Sequence, residues 1–291
     1  MITIGARAHD FGRLPAEILA NRIAETGVQC IQLAISKALP DAPRYPADID
    51  VHAVTKAFEQ HQIGIAVLGC YINPVHPDPE TREQELTRFE QHIQAAPEFH
   101  CTIVGTETGS RNPDCSFHPD TATEATYELF CESVHRLVRR AEQIAAHSQP
   151  VIIGIEPVAD THTISSPRLM QRLLKDIDSP SLGVIFDPVN LIGKTGVVSQ
   201  DSFLDDCFAS FGAHIVAIHA KDYRITEGSC GPIKSKSLPA GTGDLDWLGL
   251  FRRLRSIGKT DIPVLLEDLQ PKEIPATKSR ILDLWNQSAL H

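Results

Sequence analysis

Four residues with acid or imidazole side chains each close an apolar run in the second half of the chain. Glu156 closes Val151-Ile-Ile-Gly-Ile-Glu156, and Asp187 closes Leu182-Gly-Val-Ile-Phe-Asp187. His219 closes Ile215-Val-Ala-Ile-His219, and Glu267 closes Ile262-Pro-Val-Leu-Leu-Glu267. A strand that stays apolar up to its last residue is buried on both faces. A charged group at that end stands at the rim, where the chain leaves the core. Three carboxylates and one imidazole at equivalent rims form a hard-to-borderline ligand set for a divalent cation. Polar residues also follow buried strands simply because the chain reaches solvent. Four in consecutive units, all of types able to bind metal, favour an enzyme over a binding module.

The elements that must position these groups are legible as a rhythm. Eight apolar runs recur with helical stretches between them, the mark of βα units and a parallel sheet. The first four are Ile2–Ala6, Val28–Ala34, Ile63–Gly69 and Cys101–Thr106, and the last four are those above. Amphipathic stretches follow at Ala16–Thr26, Ala47–His61, Glu80–Ala96, Thr121–His147, Pro167–Ile177, Ser202–Phe211, Asp246–Ile257 and Lys278–Ala289. Eight βα units in an α/β chain of 291 residues predict a closed (β/α)8 TIM barrel, read as a single domain over 1–291. A doubly wound open sheet is the rival. Its first turn usually carries G-x-G-x-x-G, whereas this chain has Gly5-Ala-Arg-Ala-His-Asp10. In a parallel barrel all strand C-termini share one face, so the four residues can converge there. Two longer loops, Ser36–Pro46 and Gly109–Pro119, follow strand ends and are placed to cover that face.

Composition narrows the class. The formal net charge is −10, which disfavours nucleic acid and anionic lipid as partners. No run of 18 apolar residues exists, so no membrane span is expected. Met1-Ile-Thr-Ile-Gly-Ala-Arg7 reads as a strand rather than a signal peptide. Seven cysteines at 30, 70, 101, 115, 131, 207 and 230 show no Cys-x-x-Cys pair. This argues against a disulfide framework or zinc ribbon and for a reducing, cytoplasmic setting. Nothing in the sequence fixes quaternary structure, and a homo-oligomer stays open.

Further rim residues complete the candidate site. Lys221 lies two positions after His219, so strand alternation points it inward, where a lysine can stabilise an oxyanion. Glu107 ends the fourth strand and can accept from a sugar hydroxyl. Asn73 and His76 follow the third strand, and His9 and Asp10 follow the first. In Gly241-Thr-Gly-Asp-Leu-Asp-Trp247 the Lys-Ser/Thr of a phosphate loop is missing. Tight turns are expected there, with Asp244 capping a helix that begins near Leu245.

The Glu156 strand, Phe186-Asp187-Pro-Val-Asn190, Ile218-His219-Ala-Lys-Asp222, the Gly241–Trp247 segment and the Glu267 strand together resemble the xylose-isomerase-like barrels. In particular, they resemble the sugar phosphate isomerase/epimerase group. The resemblance covers the C-terminal half closely and the N-terminal half in rhythm. It implies one divalent cation, manganese first, with Mg2+, Co2+ or Zn2+ also suited. Glu156, Asp187, His219 and Glu267 would be its ligands, with the two glutamates also moving protons and Lys221 assisting. Many relatives carry a histidine three residues after the strand-six aspartate. This chain has Asn190 there, which bears on substrate contacts or a second metal at that point.

The expected substrate is a small sugar, with Glu107, Asn73, His76 and Asn190 as its contacts. Deprotonation beside a carbonyl would give a cis-enediolate, and reprotonation an epimer or the aldose–ketose isomer. Expulsion of a leaving group from the same enolate would instead make a lyase or dehydratase acting on a keto-sugar, keto-inositol or keto-glycoside. An apurinic endonuclease would need more histidines, and a non-catalytic sugar-binding barrel would bind without turnover.

Overall fold

The computed structural model describes residues 2–228 and 231–289, so Met1 and Cys230 lie outside the described residues. Eight strands run parallel and close on themselves: β1 (Thr3–Arg7), β2 (Cys30–Leu33), β3 (Gly64–Gly69), β4 (Ile103–Glu107), β5 (Ile152–Glu156), β6 (Leu182–Phe186), β7 (Ile215–Ala220) and β10 (Pro263–Leu266). β1 pairs with β10 through Thr3–Pro263 and with β2 through Gly5–Cys30, which shuts the cylinder. The (β/α)8 barrel expected from the sequence is therefore the fold. β8 (Ile225–Gly228) and β9 (Gly231–Lys234) form a separate antiparallel hairpin in the loop after β7. The apolar rhythm gave no sign of this hairpin, because each arm is short and mostly exposed.

Outside the barrel pack α1 (Ala16–Ala24), α3 (Val51–Glu59), α4 (Pro79–Ala95), α5 (Glu124–Ala145), α6 (Pro167–Ile177), α8 (Gln200–Phe211), α9 (Trp247–Ser256) and α10 (Ile274–Gln287). Two single-turn helices, α2 (Ile35–Ala38) and α7 (Pro188–Leu191), follow β2 and β6 directly. Local chemistry starts several of these helices. Asp50, Asp78, Thr123, Ser166 and Ser199 each accept from the backbone N–H three residues on. Such caps satisfy donors that the first turn leaves unpaired. The sequence expectation for α9 needs correcting. Its cap is Asp246, which accepts from Gly249, and the helix begins at Trp247. Asp244 instead accepts from the Ile225 N–H at 2.8 Å and ties the hairpin to this loop.

Two apolar regions hold the barrel. The larger lies between strands and helices, with Phe58, Phe89, Phe130, Phe186, Phe211 and Phe251 wholly buried. The smaller gathers Cys30, Val67, Ile103, Ile185, Ala217 and Leu265. These alternate with outward-packing neighbours and fill the cylinder itself. Ile185 spans it. A Cβ added at Gly105 would stand 2.6 Å from Ile185 Cδ1, and one at Gly154 would stand 2.9 Å away. Those glycines leave room for one large side chain. The six described cysteines other than Cys230 are all free thiols.

Candidate functional site

Strand alternation builds the site directly on this interior. Two residues beyond six interior positions stands a polar group: Gln32 after Cys30, Glu107 after Gly105, Glu156 after Gly154, Asp187 after Ile185, His219 after Ala217 and Glu267 after Leu265. Side chains two apart on a strand share a face. The apolar plug therefore ends in a polar rim at the C-terminal mouth, where barrel active sites lie.

Glu156, Asp187 and His219 are buried and converge, each offering a ligand atom within 4.8 Å of the others. Glu267 joins through His219, whose Nδ1 lies 3.1 Å from both Glu267 Oε1 and Glu156 Oε2. Lys221 does face inward. Its Nζ sits 2.7 Å from Asp187 Oδ2 and 3.0 Å from Glu267 Oε2. Asp187 also starts α7, its Oδ1 accepting from the Asn190 N–H at 2.9 Å. Asn190 in turn donates to Glu156 Oε1 at 2.7 Å. Asp187 Oδ2 and His219 Nδ1 are buried with no aligned hydrogen bond. Oδ2 is ion-paired with Lys221 and Nδ1 faces two carboxylates, and a buried set of three carboxylates and one imidazole gathered this tightly fits a divalent cation.

The charges are strongly coupled. Burial alone would lower the His219 pKa, but the Glu267 and Glu156 carboxylates outweigh it and raise it to about 9. Burial would raise the Glu267 pKa, yet His219, Lys221 and Arg7 pull it down to about 2. Glu156 moves the other way. Burial, joined by the Glu107 and Asp187 charges, raises its pKa against the pull of His219. The glutamates differ because Glu267 faces the Lys221 ammonium and Glu156 faces the neutral Asn190 amide.

The remaining expected contacts divide. Glu107 is at the rim and accepts from His162 Nε2 at 3.0 Å, while His162 Nδ1 meets the Thr161 hydroxyl at 2.8 Å. Burial works against its charge, but His162 and Lys37 hold the Glu107 pKa below the usual value. Asn73 is buried and braces loops. Its amide donates to the Ser110 and Asn112 carbonyls, and its oxygen accepts from the Val75 and Ser110 N–H groups. His76 lies further out, with Nδ1 accepting from the Asp78 N–H at 3.1 Å. Neither is brought to the Glu156–Asp187–His219 cluster. His9 stays near the mouth with a buried, unpartnered Nδ1. Asp10 pairs with Arg7 at 2.9 Å, and Arg7 Nη1 approaches Glu267 Oε1 at 3.7 Å. A surface groove of 660 Å³ beside the β2 loop, lined by Leu39, Tyr45 and Val54, contains none of the rim residues.

Gln32, Arg7 and His162 were not reached from the sequence. Gln32 carried one signal, a lone polar residue inside Cys30-Ile-Gln-Leu33. His162 carried none, since it lies in an irregular loop after β5.

Among the described residues no helix is long and apolar enough to cross a membrane. No curated protein sequence matches the chain. Solved structures match across its length. A xylose isomerase-like barrel from Mycobacterium smegmatis in complex with magnesium is 18% identical, with TM-score 0.76, covering 99% of this chain and 98% of that one. D-Psicose 3-epimerase with D-tagatose from Clostridium cellulolyticum H10 is 14% identical, with TM-score 0.71 and 99% of both chains covered. 3-Keto-D-glucoside 4-epimerase from E. coli is 14% identical, with TM-score 0.70, covering 97% of this chain and all of that one (100%). At these identities the likeness is one of fold. The family follows from the sequence itself: residues 20–283 match the xylose isomerase-like TIM barrel family, and the chain belongs to it.

Proposed function

We propose that the protein is a divalent-metal-dependent isomerase or epimerase acting on a keto-sugar or related polyol. The observation that carries this reading is the convergence of Glu156, Asp187, His219 and Glu267, with His219 Nδ1 and Asp187 Oδ2 buried and unaligned. Those four residues would hold the cation. Manganese is our first choice, with Mg2+, Co2+ and Zn2+ also compatible with one imidazole and three carboxylates. The magnesium in the mycobacterial structure and the keto-sugar epimerases among the structural neighbours support the assignment. When bound, the cation supplies Lewis acidity that polarises a substrate carbonyl and makes the adjacent C–H more acidic.

The chain's own residues then divide the work. Of Glu156 and Glu267, one removes the proton next to the carbonyl and the other returns one. Return to the opposite face of that carbon gives the epimer. Return to the neighbouring carbon gives the isomer. The side-chain surroundings keep the two carboxylates distinct, since Asn190 holds Glu156 and Lys221 holds Glu267. The Lys221 ammonium is positioned to offset negative charge developing on substrate oxygen. Glu107, steadied by His162, accepts from a sugar hydroxyl, and Asn190, bonded to Glu156, is a further substrate contact. Asn73 and His76 act as loop supports that shape the entrance.

The test is proton exchange. The Mn2+-loaded protein incubated with keto-sugars in D2O is expected to place deuterium on a carbon next to the carbonyl. Product analysis then separates epimer, isomer and eliminated product. No deuterium in any keto-sugar, with metal bound, rejects the reading.

A further inference from the structure

A buried amide explains how His219 presents its ring. Gln32 is 1% exposed inside a strand whose other members are apolar. Burying an amide with its groups unpaired costs about 1–3 kcal/mol. Gln32 avoids that at both ends. Its Nε2 donates to the Tyr71 hydroxyl, and its Oε1 lies 2.8 Å from His219 Nε2. An amide oxygen has no proton to give, so the proton in the second contact belongs to His219 Nε2. The opposite nitrogen, Nδ1, is thereby left to face the Glu156 and Glu267 carboxylates at 3.1 Å each. Without a cation, Nδ1 between two carboxylates is held by a proton; a cation that displaces this proton meets the Nδ1 lone pair of an imidazole whose remaining proton Gln32 keeps on Nε2.

The amide has two orientations. Turned over, its NH2 would donate to His219 Nε2 and move the ring proton to Nδ1, where it would face the two glutamates. That arrangement would leave Nε2, not Nδ1, without hydrogen; the one present keeps Nε2 protonated and makes Nδ1 the nitrogen open to a cation. We infer that Gln32 is a positioning residue that selects the Nε2–H tautomer of His219, so that Nδ1 is the atom offered to a divalent cation, with Tyr71 holding the amide in that sense. This rests on the metal reading above but concerns a residue on β2, across the barrel from the ligands on β5 and β6. The Lys37 Nζ lies 3.8 Å over the Tyr71 ring, so the same arm ends at a cation on the mouth side.

The experiment uses the full chain and Zn2+, which is diamagnetic, as the probe. Calorimetry measures Zn2+ affinity for the wild type and for Gln32→Leu, Gln32→Glu and Tyr71→Phe. Two-dimensional 15N NMR of the Zn2+-loaded wild type reports which His219 nitrogen carries hydrogen. Expected are a proton on Nε2 and a 10–100-fold weaker affinity in Gln32→Leu, with Gln32→Glu much closer to wild type because it keeps an acceptor. Tyr71→Phe should weaken binding only a few-fold. A His219 proton on Nδ1 in the Zn2+-loaded protein overturns the inference, and this readout needs no variant to fold. Unchanged affinity in a folded Gln32→Leu overturns it equally, while the metal reading stands. Failure of the wild type to take up Zn2+, Mn2+ or Mg2+ removes the metal reading and this inference together.

Discussion

The barrel interior contains two zones built from the same strands, a step of two residues apart. Below, Cys30, Val67, Ile103, Ile185, Ala217 and Leu265 close a plug in which Ile185 takes the room left by Gly105 and Gly154. Above, Gln32, Glu156, Asp187, His219 and Glu267 form a rim as deeply enclosed but made of polar groups, with Glu107 half-buried at its edge. The lower zone is complete in itself, because apolar side chains need only shape. The upper zone is not. Its charges are balanced by Lys221, Arg7 and His219, yet Asp187 Oδ2 and His219 Nδ1 keep no aligned partner. Stability should therefore belong to the plug and chemistry to the rim.

The largest expected effect breaks the rim. Glu156→Gln and Glu267→Gln should each lower solvent exchange at the substrate carbon by about 10²–10⁴-fold. Glu156→Gln should leave the melting temperature nearly unchanged, since a glutamine oxygen can still accept from Asn190. Exchange at wild-type rate in both variants would remove them from proton transfer. The converse change breaks the plug. Ile185→Ala should cost roughly 2–5 kcal/mol in denaturant unfolding, because Gly105 and Gly154 offer no side chain to fill the gap. The folded fraction should retain cation binding. A large loss of cation affinity at full stability would show that plug and rim are not separable in this way.

A smaller effect sharpens the comparison by locating acid sensitivity outside both zones. His92 on α4 is buried, with Nδ1 donating to the Arg88 carbonyl at 2.8 Å. Burial first, and the Arg88 charge with it, lower its pKa from 6.5 to about 4 against the help of that hydrogen bond. The unfolded chain thus binds a proton that the native state refuses. The stability this site contributes is full above pH 6.5 and is lost as the pH falls through 4, by about 3 kcal/mol. His92→Gln should flatten that part of the stability–pH curve measured by urea unfolding. Equal slopes in both proteins would place the acid response elsewhere, at the carboxylate rim.

Much of this was readable from the chain because alternation is a local rule. Glu156, Asp187, His219 and Glu267 each end an apolar run, and Lys221 follows His219 by two, so strand geometry alone set their direction. Glu107 was legible on the same grounds. Gln32 was harder, since a single polar residue within a strand looks like a break in the pattern until its partners are seen. Asn73 and His76 show where strand alternation stops giving direction. Both sit after a strand end, but the backbone turns there and engages them with Ser110, Asn112 and Asp78. Asp244 and Asp246 differ by two positions, and a propensity cannot choose between two aspartates when the hairpin claims one of them.

The sequence by itself determined the repeating βα order, the closed parallel barrel and the face on which its acids collect. These follow from the period of apolar residues, which fixes which side of each strand is buried. Only the tertiary structure decided that Gln32 meets His219 from 187 positions away. It likewise decided that Asn190 holds Glu156, that His162 supports Glu107, and that a hairpin crosses the loop after β7. Those contacts join side chains distant in sequence, and their geometry is set by strand stagger and loop path, which no local pattern encodes.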